Sequence, residues 1–201
     1  VFFENQIRGE SIAELFAAAG ADLALTARNE EELEQTAEAA RKHGVKVWTK
    51  TAEMGDADDV KDLADAVLEK FGRVDILVNN AGVAKHQPFF DVDIETFHTV
   101  MNVNLLAPML LTQAFAPGMI ERKSGKIVNI SSRGAIRAIP TGATYCASKA
   151  ALQLMTQTMA VEFGPHNVQA NCVAPTVTMT PMGESAWPAS PRRDAKLSKI
   201  P

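Results

Sequence analysis

Short apolar runs alternate with stretches of helical periodicity along this chain, and that alternation leaves few folds open. Asp22 to Ala27, Val45 to Thr49, Val74 to Val78, Lys126 to Ile130 and Asn167 to Val173 read as strands: brief, apolar and bounded by turn residues. Around them, Ser11 to Ala19, a segment from Asn29 to His43-Gly44, Asp58 to Phe71, Asp93 to Arg122 and Ala143 to Phe163 read as helices. Strands that alternate with helices connect by right-handed crossovers and build a parallel sheet with helices on both faces. The expected fold is therefore α/β and doubly wound.

Local signals support these elements. Ile12, Leu15, Phe16 and Ala19 share one helical stripe, and Gly20 is placed to stop that helix. Asn29 with Glu32 three residues on is a capping-box pattern. Pro108 and Pro117 interrupt the long stretch after Asp93, and each is expected to kink or break it.

An open parallel sheet binds its ligands beyond the carboxyl ends of its strands. Ala27-Arg28-Asn29, Glu53-Met54, Asn79 to Gly82, Ile130 to Ser132 and Ala174 to Thr180 all follow strands, so they converge on one edge. At this edge Ser131 and Ser132 end a strand, while Tyr145 and Lys149 lie four residues apart near a helix start. That spacing puts a phenol and an ammonium on one helix face. A free phenol, with a pKa of about 10, is a poor acid near neutrality, and a neighbouring cation favours its ionised form. A serine hydroxyl across the cleft would fix the oxygen that the phenol protonates. The pair alone also arises from ordinary helix composition.

Several motifs in order make the stronger case. Tyr145-Cys146-Ala147-Ser148-Lys149, with Ser132 thirteen residues before the tyrosine, resembles the active site of the classical short-chain dehydrogenase/reductase family. Asn79-Asn80-Ala81-Gly82 after Val74 to Val78 resembles a second signature of that family, and Asn104 in Val103-Asn104-Leu105 resembles a third. The resemblance runs from about Ile12 to Pro201 and implies a Rossmann-like dinucleotide-binding oxidoreductase domain spanning residues 1–201. It implies catalytic roles for Asn104, Ser132, Tyr145 and Lys149. Cofactor contacts would come from Arg28, Glu53, Met54, Asn80, Ala81, Gly82, Tyr145, Lys149, Pro175, Val177 and Thr180.

A site that prefers NAD usually ends its second strand with an acid, whereas an arginine accommodates the 2′-phosphate of NADP. Ala27 followed by Arg28 therefore points to NADP(H). Glu53 stands where the family commonly has an aspartate near the adenine. Pro175 to Thr180 resembles the family's nicotinamide-holding segment, with Thr176 in place of a glycine.

The implied reaction is reversible reduction of a ketone to a secondary alcohol. Asn171 to Gly183 resembles the matching stretch of L-xylulose reductases and tetrameric carbonyl reductases, which act on sugars and small dicarbonyls. The alternatives are 3-oxoacyl thioesters and sugar acids such as gluconate. The resemblance also implies a homotetramer built on Asp93 to Arg122 and Ala143 to Phe163.

One departure stands out. The family opens with a strand and a glycine-rich turn whose backbone approaches the pyrophosphate. Here Gly9 matches its last glycine, but Phe3 and Ile7 fall on the other two, where side chains would crowd the phosphates. Val1 to Phe3 looks too short to supply the first strand, and the family continues past Pro201. The expectation is a fragment lacking the fold's first and last strands. A catalytically inactive remnant that binds no cofactor is the opposing reading.

With 201 residues, 46% of them hydrophobic, and a net charge of −4, the composition fits one globular domain and carries no basic surplus for nucleic acid. Cys146 and Cys172 alone do not make a disulfide scaffold and fit a cytoplasmic location. No apolar run looks long enough to span a membrane. His43, His86, His98 and His166 lack metal-ligand spacing, so no metal is expected. Cys146 and Trp48 read as packing residues, and Asp91 and Asp93 as helix-start residues. From Pro175 onward the chain suits either a lid or an ordinary surface loop, with Met182 and Trp187 as pocket or loop residues accordingly.

Overall fold

The computed structural model describes residues 2–4 and 7–175, with side chains from residue 11 onward. Six strands form one parallel sheet in the order β3-β2-β1-β4-β5-β6. They are β1 Phe2–Glu4, β2 Leu23–Ala27, β3 Val47–Thr51, β4 Ile76–Asn79, β5 Gly125–Ile130 and β6 Val168–Val173. The helices are α1 Ile7–Ala18, α2 Glu30–Arg41, α3 Ala57–Phe71, α4 Ile94–Met101, α5 Ala107–Glu121 and α6 Ala143–Phe163.

The expected absence of the first strand is corrected. Phe2–Glu4 is a strand at the centre of the sheet, pairing with β2 through Phe2↔Ala24, Phe3↔Leu25 and Glu4↔Thr26. On its other side it pairs with β4 through Phe2↔Leu77 and Phe3↔Val78. Three residues suffice because both neighbours supply backbone partners, an advantage that an edge strand lacks. Helix α1 likewise begins at Ile7, four residues before the expected Ser11, and β3 sits two residues later than Val45 to Thr49.

Helix starts and stops follow the local chemistry. The Asn29 side chain accepts the N–H groups of Glu31 and Glu32, and Asp56 does the same for Asp58 and Asp59. Asp93 caps α4, and the backbone N–H of Thr96 with the Gln87 amide holds its carboxyl down at about 2. Gly20, Gly44 and Gly72 take the left-handed conformation that closes α1, α2 and α3.

The two prolines are accommodated in different ways. Between α4 and α5 the chain makes a π-helical stretch, Asn102–Leu106, in which Ala107 N–H reaches back to Asn102. That wider turn absorbs Pro108, whose missing N–H then falls at the start of α5. Helix α5 runs through Pro117 without ending. The continuous result, Ile94–Glu121, is 28 residues long and apolar enough to cross a membrane, contrary to the sequence expectation. Half of its most apolar window is nevertheless buried in the fold, as in a core helix.

Two cores flank the sheet. Ala13 and Ala17 of α1, and Leu33, Ala37 and Ala40 of α2, pack on Leu23, Leu25, Val78 and Ile130. On the opposite face Val60, Leu63 and Val67 of α3 and Leu111, Phe115 and Met119 of α5 cover Leu77 and Ile127. Each fully buried Leu or Ile contributes about 1.5–3 kcal/mol, so these layers fix where the strand ends lie.

Candidate active site

The carboxyl ends of β4 and β5 and the start of α6 come together at one edge. Gly82 follows β4, and a Cβ built there would lie 3.3 Å from Lys149 Nζ and 3.5 Å from Asn104 Oδ1. Glycine is therefore what lets an ammonium and an amide approach this backbone closely.

Asn104 binds the loop to α6. Its Oδ1 accepts the Val83 N–H at 2.8 Å, and its Nδ2 donates to the Val83 carbonyl at 3.0 Å and to Ser148 Oγ at 2.9 Å. Ser148 in turn donates to the Tyr145 carbonyl at 2.8 Å. The π-helical stretch carries Asn104, so the turn that accommodates Pro108 also places this side chain.

Lys149 is 3% exposed, and its Nζ donates to the Ile130 carbonyl at 2.8 Å. A buried ammonium is costly without partners, and this carbonyl at the end of β5 is one. Ser131 Oγ returns a bond to the Lys149 carbonyl. Ser132 begins a short 3-10 turn, Arg133–Ala135, and its Oγ accepts the Gly134 N–H at 3.0 Å. That bond orients the hydroxyl and leaves its proton to be donated elsewhere.

Gly134 lies against the tyrosine: a Cβ there would be 3.3 Å from Tyr145 Cε1 and 3.4 Å from Cys146 Sγ. The turn bearing Ser132 thus packs on the half-buried Tyr145 ring, one helical turn from Lys149. Arg133 N–H donates to the Pro175 carbonyl, tying this turn to the segment after β6.

Behind the site lies a polar relay that the sequence did not disclose. Asn79 Nδ2 donates to Asn129 Oδ1 at 2.7 Å, and Asn129 Nδ2 donates to Thr156 Oγ1 at 2.8 Å. Cys172 Sγ donates to the same Thr156 oxygen, and burial pushes that thiol up from its ordinary value. The available clue was a lone asparagine within the apolar Lys126 to Ile130 run.

Arg28 and Glu53, two more of the expected cofactor residues, line a cleft of about 590 Å³ beside the ends of β2 and β3. Arg28, Glu53 and Gly55 form one wall, and His98 and Asn102 belong to the facing helical stretch. Asn102 was not picked out from sequence, and His98 was weighed there only as a metal ligand. Asn80 and Ala81 are buried beside Gly82, and Met54 has its side chain in the core. Val177 and Thr180, together with Met182, Trp187 and the lid expectation, lie outside the described residues. The same holds for the Phe3 and Ile7 side chains. Among the described residues no three histidine, cysteine or acidic side chains gather to hold a metal ion.

A dinucleotide fits what is described. One end of the edge offers a bare backbone at Gly82 beside a buried cation, and the other offers a cleft lined by Arg28 and Glu53.

Comparison with known proteins agrees with this geometry. A family profile described as short chain dehydrogenase matches residues 8–190. L-Xylulose reductase of Mus musculus is 46% identical over 146 residues, covering 70% of this chain and 60% of the relative. The Bos taurus L-xylulose reductase is 38% identical over 194 residues, covering 96% and 76%. Among solved structures, a metagenomic short-chain oxidoreductase in complex with NADP is 34% identical with a TM-score of 0.84, covering 87% of this chain and 80% of that one. An NAD+-bound xylitol dehydrogenase is 28% identical with a TM-score of 0.86, covering 92% and 73%.

Proposed function

The chain belongs to the short chain dehydrogenase family of nicotinamide-dependent oxidoreductases, and from that premise we propose that it is an NADP(H)-dependent enzyme interconverting a ketone and a secondary alcohol on a sugar or small carbonyl compound. The observation that carries this reading is the Lys149 ammonium, buried on the Ile130 carbonyl and close to Gly82, one helical turn from Tyr145.

Each side chain has a task. Ser132 donates its hydroxyl proton to the substrate oxygen and fixes its position. Tyr145 delivers a proton to the alkoxide as it develops, and the charge of Lys149 stabilises the phenolate left behind. Lys149 and the backbone at Gly82 would hold the nicotinamide ribose, while Arg28 would receive the 2′-phosphate. When bound, the reduced nicotinamide supplies the hydride. Asn104 is a positioning residue, since its amide is committed to Val83 and Ser148. Asn80, Ala81 and Pro175 shape the same edge through the backbone.

Substrate class follows the relatives named L-xylulose reductase, and the chain spans 60% of the mouse one. A homotetramer is the proposed assembly. Exposed Ile94 on α4 and exposed Leu154 and Val161 on α6 give those helices apolar surface for a second copy.

The test is initial-rate kinetics with L-xylulose and with a small dicarbonyl, using NADPH and NADH. Reduction of both substrates with NADPH preferred is the expected result. A clear preference for NADH would overturn the cofactor assignment, and no turnover with either substrate would overturn the substrate class.

A further inference from the structure

Arg28 does not face the cleft alone. Its Nη1 lies 4.0 Å from Glu53 Oε2, and both side chains are about half exposed, at 58% and 51%. Glu53 is held in place. Its other oxygen accepts the Gly55 N–H at 3.0 Å, and the Gly55 carbonyl accepts a bond from Asn102 Nδ2 at 3.1 Å. The Glu53 N–H donates to the Asp59 carboxylate at 2.6 Å. A carboxylate is thus fixed beside the very guanidinium that a 2′-phosphate must reach.

We propose that Glu53 sets cofactor discrimination in this enzyme: it competes with the 2′-phosphate for Arg28, repels that phosphate, and so narrows the preference for NADP(H) over NAD(H). The inference rests on the NADP(H) reading above and deepens it. An arginine alone would favour the phosphorylated dinucleotide strongly. An arginine already paired must exchange partners, and the displaced carboxylate stays within reach of the incoming anion. The neutral 2′-hydroxyl of NAD(H) meets neither penalty.

Coulomb interaction of two unit charges 4 Å apart in water is worth roughly a factor of five in an equilibrium constant. A phosphate monoester carries nearly two negative charges at neutral pH, so the effect on NADP(H) is larger. Glu53→Gln removes the charge while its amide oxygen can still accept the Gly55 N–H.

Equilibrium fluorescence titration of the wild type, Glu53→Gln, Arg28→Gln and the double variant with NADPH and NADH tests this. Calorimetry with adenosine 2′,5′-bisphosphate and 5′-AMP isolates the adenosine end without turnover. Glu53→Gln should tighten NADPH relative to NADH, and the bisphosphate relative to 5′-AMP, about tenfold. The gain should shrink in the Arg28→Gln background to the part that is direct repulsion of the phosphate. If Glu53→Gln shifts both members of each pair together, or neither, the inference fails while the Arg28 assignment stands. If Arg28→Gln leaves the NADPH to NADH ratio unchanged, that assignment falls instead, and Glu53 has no arginine for which to compete.

Discussion

Tyr145→Phe is expected to cut turnover by about 10²–10⁴-fold, the share that a positioned general acid contributes, while NADPH binding stays at the wild-type level. The substitution removes one oxygen and keeps the ring. It is the ring, at Cε1, that packs where Gly134 leaves room, so the turn carrying Ser132 keeps its support. The Ser148 bond to residue 145 uses the backbone carbonyl and also survives. Thermal unfolding should therefore match the wild type, which separates a chemical loss from a folding loss. Retained turnover in a folded variant would remove Tyr145 from the proton step.

Asn104→Ala is the second large effect, and it acts on structure and function together. Truncation leaves the N–H and the carbonyl of Val83 without their amide partner and removes the Nδ2 donor to Ser148 Oγ, opening the joint between the β4 loop and α6. Each buried polar group left unsatisfied costs about 1–3 kcal/mol, so a loss of about 2–5 kcal/mol is expected from denaturant midpoints. Ser148→Ala should cost less, because it leaves both Val83 bonds in place. Assayed well below its melting temperature, Asn104→Ala should still bind NADPH weakly, because Gly82 and Lys149 lose the amide between them. An affinity restored to the wild-type value in the folded variant would reduce Asn104 to a purely structural part.

How much of this was legible in the sequence depended on how local the cause is. Helix α6 runs from Ala143 to Phe163 as its alanine-rich periodicity indicated, and Asn29 caps α2 through its own side chain. The Gly82, Ser132, Tyr145 and Lys149 positions could be placed at one edge because strand ends and helix starts define that edge. The first strand could not, since three residues become a strand only when β2 and β4 flank them. Nor could the π-helical stretch, because a proline announces a disturbance without saying which backbone pattern resolves it. The Asn79, Asn129 and Thr156 relay joins residues 27 to 50 positions apart, and no local pattern carries such pairing. The Arg28 and Glu53 pair was missed for the same reason: each residue was read at its own strand end, and only adjacent β2 and β3 bring them together.

Isotope transfer shows whether hydride passes at this edge to a carbonyl while Tyr145 donates the proton. The chain would be incubated with NADPH deuterated at either face of the nicotinamide C4, with L-xylulose or a dicarbonyl, and the alcohol analysed by mass spectrometry. Deuterium on the carbinol carbon from one of the two labelled cofactors, lost in Tyr145→Phe, is the predicted result. Alcohol without deuterium from either cofactor, or no alcohol at all, would contradict it.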